Sequence, residues 1–415
     1  LPTIETRENP SSTSWLRRAA VAGIVAASSL LLIACGDSNG GTTTTTSTPA
    51  APATQAPEGT PPPQTADPDL DQIPRTTDRS ISLNGAGASF PNVLYSQWSD
   101  AYNELNRGIR MNYQSIGSGG GIRAVIDKTV DFGGTDGPMN DEQKGEAGSP
   151  VWHIPMAMGA VVPAYNIPGN PQLRFSQETI ANIFLGHITR WDDEAIAADN
   201  PDVDLPALDL VVVHRSDGSG TTFIWVDFLA AVSEEWRNNV GVATSVNWPT
   251  GIGANGNEGV ANQVRQVEGA IGYVELAYAV QNNLPAGNLQ NRAGNWIEPT
   301  FEAVAAAAGG MIAAGEFPEN MEARVVNAAG ADSYPSAGFT WVLLYDDLGV
   351  ISGMNLERAQ EVLRYVLWSL DADGGQQYNI PLYYGPLDPL VQEFAREALK
   401  NIKFNGQPIW ETMIP

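Results

Sequence analysis

The chain has 415 residues and a net charge of −25, from 47 acidic and 22 basic side chains. It contains no run of lysine or arginine that could neutralise a phosphate backbone, which excludes nucleic acid as a partner. The single cysteine, Cys35, excludes both an internal disulfide and a metal site built on paired thiols. Any anion site in so acidic a chain must work through locally aimed dipoles rather than a broad positive field.

Residues 1–35 read as a targeting segment. Arg17 and Arg18 precede the uncharged run AAVAGIVAASSLLLIA (19–34), which is short for a spanning helix and suits a signal-peptide core. The run ends in Leu32-Ile33-Ala34-Cys35. This resembles the bacterial lipobox, which implies lipidation at Cys35 and a lipid anchor on the outer face of the membrane. Residues 36–80, with TTTTTSTPAAPATQAPEGTPPPQ at their centre, hold too few large apolar groups to repay ordering and too many prolines to continue an element. They read as a disordered tether with a reach of roughly 40 Å.

The remainder, about 81–415, exceeds a typical single domain and predicts two lobes. ISLNG (81–85), VVPAYN (161–166), LDLVVVHR (208–215), GAIGYVE (269–275) and TWVLLY (340–345) read as strands. Residues 210–213 are apolar without alternation, which suits a strand covered on both faces of a parallel sheet. FPNVLYSQWSDAYNEL (90–105) places Phe90, Leu94, Trp98, Tyr102 and Leu105 on one helical stripe, with Pro91 in its first turn. SQETIANIFLGHITRWDDEAI (176–196) opens with Ser176 and Glu178 and predicts a helix. Residues 356–370 and 389–402 predict two amphipathic helices. Strands alternating with helices place the chain in the α/β class.

Three Gly/Ser-rich stretches each precede a helical pattern: GAGASF (85–90), SIGSGGGI (115–122) and DGSGTTF (217–223). Glycine permits close backbone approach, and a capping hydroxyl adds a donor. A helix starting near Ser219 or Gly220 would present unpaired N–H groups and partial positive charge, so the simplest ligand for such a loop is an oxyanion. Three such loops in one chain suit a cleft whose walls supply converging helix ends. Arg215, at the end of the 208–215 strand, could grip an oxyanion with its planar fork, and Asp217 could pair with it and hold its plane. Asp136, in VDFGGTDGPMND (130–141), places a carboxylate where an anion would sit. That is useful only if the anion carries a proton. A site built to accept that proton rejects a ligand lacking it by roughly 10⁴–10⁵ in the best analogous case.

Catalytic readings find less support. Neither Ser118 nor Ser219 lies in a G-x-S-x-G frame, and there is no nucleotide P-loop. His153, His187 and His214 lack metal-ligand spacing. Asp192 and Asp193 read as capping charges. No cofactor and no metal are expected.

The segments LNGAGASFPNVLYSQW, NYQSIGSGGGIRAVIDKTVDFGGTDGPMND, RWDDEAIA, VVVHRSDGSGTTF, WRNNVG, NWPTGIGANGNEGVA and GAIGYVELAYA together resemble the phosphate-binding protein (PstS) family, extracytoplasmic receptors of phosphate ABC transporters. The resemblance is strong over about 81–283 and looser over 284–415. It implies a two-lobed type II periplasmic-binding-protein fold with a ligand cleft between the lobes. Lobe I would hold residues 81–162 plus 336–415 and lobe II residues 163–335, with crossover strands near 161–166 and 330–338. It also implies that Ser89, Phe90 (through its backbone N–H), Ser118, Asp136, Arg215, Ser219, Gly220 and Thr221 bind inorganic phosphate while Asp217 orients the arginine. Ser89 stands where many members carry threonine, and His214 where another basic residue is common. The partners implied are the permease and ATPase subunits of an ABC transporter; the chain itself is expected to be a monomer and no enzyme. A receptor for another oxyanion, such as sulfate or molybdate, and a secreted phosphatase-like hydrolase are the rival readings.

Overall fold

The computed structural model describes residues 72–414; the targeting segment, Cys35 and the tether up to residue 71 lie outside the described residues. In chain order the strands that build the two larger sheets are Ile81–Gly87 (β1), Ile109–Ser115 (β2), Phe132–Thr135 (β3), Val151–Asn166 (β4), Arg174–Phe175 (β5), Val211–Arg215 (β6), Ile252–Ala254 (β7), Ala270–Glu275 (β8), Asn288–Gln290 (β9), Trp296–Ile297 (β10) and Ala337–Tyr345 (β11). Eight of them form one mixed sheet in the order β2, β1, β3, β11, β4, β8, β6, β7, while β10, β9 and β5 make a small separate sheet. This is the type II periplasmic-binding-protein fold, an α/β arrangement.

The pairing directions decide where a site can form. β2, β1 and β3 run parallel to one another, as do β8, β6 and β7. Between these groups lie β11 and β4, antiparallel to each other and to their outer neighbours. β4 runs for 16 residues. Its first part, to Ala160, pairs with β11, and from Val161 onward it pairs with β8. The two parallel groups therefore run in opposite directions and lie at different heights along β4. Their carboxyl ends face each other near the middle of that strand: Thr135 lies opposite Trp341, which lies opposite Pro155, while Glu275 lies opposite Val161. Ligands of open α/β sheets bind beyond the carboxyl ends of strands; here both groups supply such ends to one place.

Apolar strands and helices surround this centre. β11 is buried over all nine residues, as expected of a strand flanked on both sides. Helix Leu356–Leu370 matches its predicted bounds, and the helix predicted over 389–402 spans Pro389–Lys400. Three helical features differ from expectation. The pattern at 176–196 is two helices, because Gly186 takes a left-handed conformation (φ 81°) that ends Gln177–Leu185; Asp193 then caps a second helix, Glu194–Asp199. In helix Asn92–Leu105 the stripe is buried at Leu94, Trp98 and Tyr102, but Leu105 in the last turn is exposed. Pro91 is the cap of that helix rather than a residue of its first turn.

Residues 73–79, assigned by composition to the tether, lie against the body. Ile73 is buried, the Pro74 carbonyl accepts from Arg364 Nη1 at 2.8 Å, the Thr77 N–H donates to Asn106 Oδ1 at 2.8 Å, and Arg79 Nη1 donates to Gln360 Oε1 at 2.7 Å. Among the described residues no helix is long and apolar enough to cross a membrane.

Candidate anion site

β1 ends at Gly87, and the chain turns through Ala88, Ser89 and Phe90 into helix Asn92–Leu105. Three tyrosines from remote elements hold the carbonyls of this turn. Tyr113 Oη donates to Ala88 O at 2.9 Å, Tyr278 Oη to Ser89 O at 2.6 Å, and Tyr384 Oη to Phe90 O at 2.7 Å. A trans peptide points its carbonyl and the following N–H in opposite directions. Fixing the Ser89 carbonyl on Tyr278 therefore turns the Phe90 N–H away from that ring.

The other two Gly/Ser stretches meet backbone to backbone. The Gly119 N–H donates to the Gly218 carbonyl at 2.9 Å. Gly117 adopts φ 81°, and a Cβ there would lie 2.4 Å from Asp217 Oδ2. Ser118 Oγ accepts the N–H of Asp136 at 3.1 Å and of Gly220 at 3.0 Å, and donates to Asp136 Oδ2 at 3.4 Å. A Cβ on Gly220 would fall 2.6 Å from both Asp136 Cβ and Ser118 Oγ, so only glycine fits between them. Ser219 caps helix Gly220–Val232 as predicted: its Oγ accepts the Thr222 N–H at 3.0 Å. Thr221, in the first turn, is buried, and its Oγ1 accepts from Asn257 Nδ2 at 2.9 Å. The same amide donates to Ser89 Oγ at 2.9 Å. The three stretches thus converge, through Ser118 and Asn257, on one point at the strand ends.

Arg215 closes that point. Its guanidinium is 1% exposed. Nε donates to Asp217 Oδ1 at 2.7 Å and Nη2 to Asp217 Oδ2 at 2.5 Å, a two-toothed grip that fixes the plane. The Arg215 N–H donates to Tyr273 Oη at 3.1 Å. Nη1 is buried and has no partner among the described residues. Burial works to raise the Asp217 pKa, but the hydrogen bonds and charge of Arg215 and the Gly256 N–H outweigh it and hold the group below its ordinary value. Asp136 differs. It is 1% exposed and accepts from Thr340 Oγ1 at 2.8 Å. Burial pushes its pKa up to about 7, against the opposing effects of the Thr340 hydrogen bond, the Arg215 charge and Ser118. The result is a cluster of buried hydroxyls and helix starts beside one arginine with an unpartnered Nη1, and one carboxylate that is ionised only near neutrality and above.

The PBP superfamily domain profile matches residues 41–368. A phosphate-binding protein PstS of Pasteurella multocida is 45% identical over 339 residues, covering 81% of this chain and 95% of that one. The chain belongs to the phosphate-binding protein (PstS) family. A second member, PstS of Xylella fastidiosa, is 42% identical over 315 residues, 75% of this chain and 83% of its own. The fold is also that of a human phosphate binding apolipoprotein: TM-score 0.63 at 18% identity, covering 79% of this chain and 99% of that structure.

Of the residues expected from the PstS resemblance, hydrogen bonds tie Ser89 to Thr221 through Asn257, Ser118 to Asp136 and Gly220, and Arg215 to Asp217, while Phe90 and Ser219 are chain neighbours of Ser89 and Gly220. Gly220, however, directs its N–H to Ser118 Oγ. Sequence reasoning missed Asn257, Thr340, Tyr278 and Tyr384. Asn257 lies in the quoted motif NWPTGIGANGNEGVA, where an asparagine entering a helix is a usable signal. The histidines are structural. His153 is buried, its Nε2 accepts the Met139 N–H at 3.0 Å, and burial together with the Lys144 charge lowers its pKa to about 3. His214 stacks on Trp248 at 4.9 Å between centroids, and His187 pairs with Glu235 at 3.0 Å on the surface.

Proposed function

We propose that this chain is a lipid-anchored extracytoplasmic receptor that binds inorganic phosphate and passes it to the permease and ATPase subunits of an ABC transporter. The observation that carries this reading is Arg215 Nη1. It is a buried, charged donor without a partner among the described residues, and it belongs to a guanidinium locked by Asp217 beside converging helix starts. Phosphate suits such a place. The Phe90 N–H, the hydroxyls of Ser89, Ser118, Ser219 and Thr221, and Arg215 donate to its oxygens, while Asp136 accepts its hydrogen. Gly220 polarises Ser118 and admits the close approach of the two loops. Charge-assisted hydrogen bonds contribute about 1.5–3 kcal/mol each, so several together offset dehydration of the anion. The names of the relatives support the ligand: those quoted from Pasteurella multocida and Xylella fastidiosa are phosphate-binding proteins.

Residues 81–162 with 336–415, and residues 163–335, would form lobes that close on the anion by bending near 161–166 and 330–338. The change of partner along β4 at Ala160 and Val161 supports that placement. Cys35 would carry the lipid, and the receptor would act as a monomer. A hydrolase is disfavoured by the hydroxyls themselves. The Oγ atoms of Ser118 and Ser219 accept backbone N–H groups, and neither bonds to a histidine.

Isothermal titration tests the reading. Phosphate and arsenate, both protonated near neutral pH, should bind, and sulfate should not. Sulfate binding as tight as phosphate would overturn the role of Asp136, and absence of phosphate binding would overturn the function. A phosphomonoesterase assay with and without divalent metals should show no turnover; turnover lost in Ser219→Ala would favour the hydrolase.

A further inference from the structure

Asn257 is the second residue of helix Gly256–Gln266 and is fully buried. Its Oδ1 accepts the backbone N–H of Glu275 at 2.9 Å. A backbone nitrogen only donates, so this contact fixes which end of the amide is oxygen. Both hydrogens of Nδ2 are then assigned, one to Ser89 Oγ and one to Thr221 Oγ1, each at 2.9 Å. The Asn257 N–H adds a further bond to Ser89 Oγ at 3.2 Å.

A hydroxyl has two acceptor lone pairs and one hydrogen. Ser89 Oγ has both lone pairs occupied by Asn257, leaving only its hydrogen to offer. Thr221 Oγ1 has one lone pair occupied from the same side. We propose that Asn257 is a specificity-determining positioning residue, whose amide fixes the Ser89 and Thr221 hydroxyls as donors toward the bound anion. Ser118 likewise has both lone pairs taken, by the N–H groups of Asp136 and Gly220, and its hydrogen goes to Asp136 Oδ2 at 3.4 Å. With Ser89 and Ser118 unable to accept and one Thr221 lone pair taken, Asp136 is the one charged acceptor left to the ligand, and the hydrogen the anion carries is read at that carboxylate. Asparagine suits the position because a single short side chain must accept from Glu275 and donate twice. Aspartate of the same shape could accept from Glu275 but would then draw the hydrogens of Ser89 and Thr221 to itself.

This inference rests on the phosphate reading, and the test separates the two. Phosphate is titrated calorimetrically into the wild-type protein, Asn257→Asp, the double variant Ser89→Ala/Thr221→Val, and the triple variant that combines them. Asn257→Asp should weaken phosphate by about 100-fold or more, from two donors turned away and a like charge added. In the Ser89→Ala/Thr221→Val background the same change should cost about 10-fold or less, because only the charge remains. Equal losses in both backgrounds, or no loss in Asn257→Asp, would overturn the role of Asn257 while leaving the phosphate site intact. A wild-type protein that binds no phosphate would overturn the site reading and this inference with it. Should Asn257→Asp fail to fold, Asn257→Ala is carried through the same cycle. Its loss of about 10-fold should shrink to about 3-fold or less once both hydroxyls are gone, and a loss that does not shrink overturns the proposal.

Discussion

Asp136 is a carboxylate that the fold makes hard to ionise, and Asp136→Asn should show this in the pH dependence of stability without ligand. Its pKa lies at about 7 in the folded protein, against an ordinary value of 3.8. Between those values the folded state binds more protons than the unfolded chain, so the group's contribution falls as pH rises through that window and is level above it. The difference corresponds to about 4 kcal/mol at full extent. Asparagine does not titrate, and all other groups are shared by the two proteins. The stability of wild type minus that of Asp136→Asn should therefore drop by up to about 4 kcal/mol between about pH 4 and about pH 8. Urea unfolding of both proteins across that range, in phosphate-free buffer, measures it. A difference that stays flat would mean that Asp136 ionises as easily folded as unfolded, and the argument for a strained proton acceptor would fail.

Three further substitutions probe the same cluster. Arg215→Lys loses Nη1 and the two-toothed grip on Asp217, and should weaken phosphate by about 100-fold in calorimetry. Gly220→Ala places a Cβ 2.6 Å from Asp136 Cβ and Ser118 Oγ; it should cost about 1–3 kcal/mol of stability, read as a lower melting temperature, and abolish tight phosphate binding. Tyr278→Phe removes the 2.6 Å bond to the Ser89 carbonyl and frees the Phe90 N–H to turn. It should weaken phosphate by about 5–10-fold, seen as faster release in stopped-flow tryptophan fluorescence.

Local signals survived the passage from sequence to structure, and remote ones did not. Ser219 announces its helix because a capping hydroxyl acts on an N–H three residues away, and the three Gly/Ser stretches are legible because close backbone approach needs glycine wherever the partner lies. The strand FGGT (132–135) has no side-chain period to detect, since its glycines serve close packing. Tyr278 and Tyr384 reach Ser89 and Phe90 across 189 and 294 residues, and no local pattern marks a hydroxyl whose acceptor is that distant. The break at Gly186 was missed because apolar residues continue on both sides of it, at Leu185 and Ile188, so periodicity outweighed the one residue that stops the helix. Thr340 lies in a strand that sequence identified, but which of its neighbours it would meet depended on β11 passing beside β3.

The position of the bound anion decides whether Arg215 Nη1 and the converging loops form the site. A crystal structure of the protein grown with phosphate should show it within hydrogen-bond distance of Arg215 Nη1, the Phe90 N–H, the Ser118 and Ser219 hydroxyls and one oxygen of Asp136. Phosphate bound elsewhere, with Nη1 still lacking a partner, would contradict it.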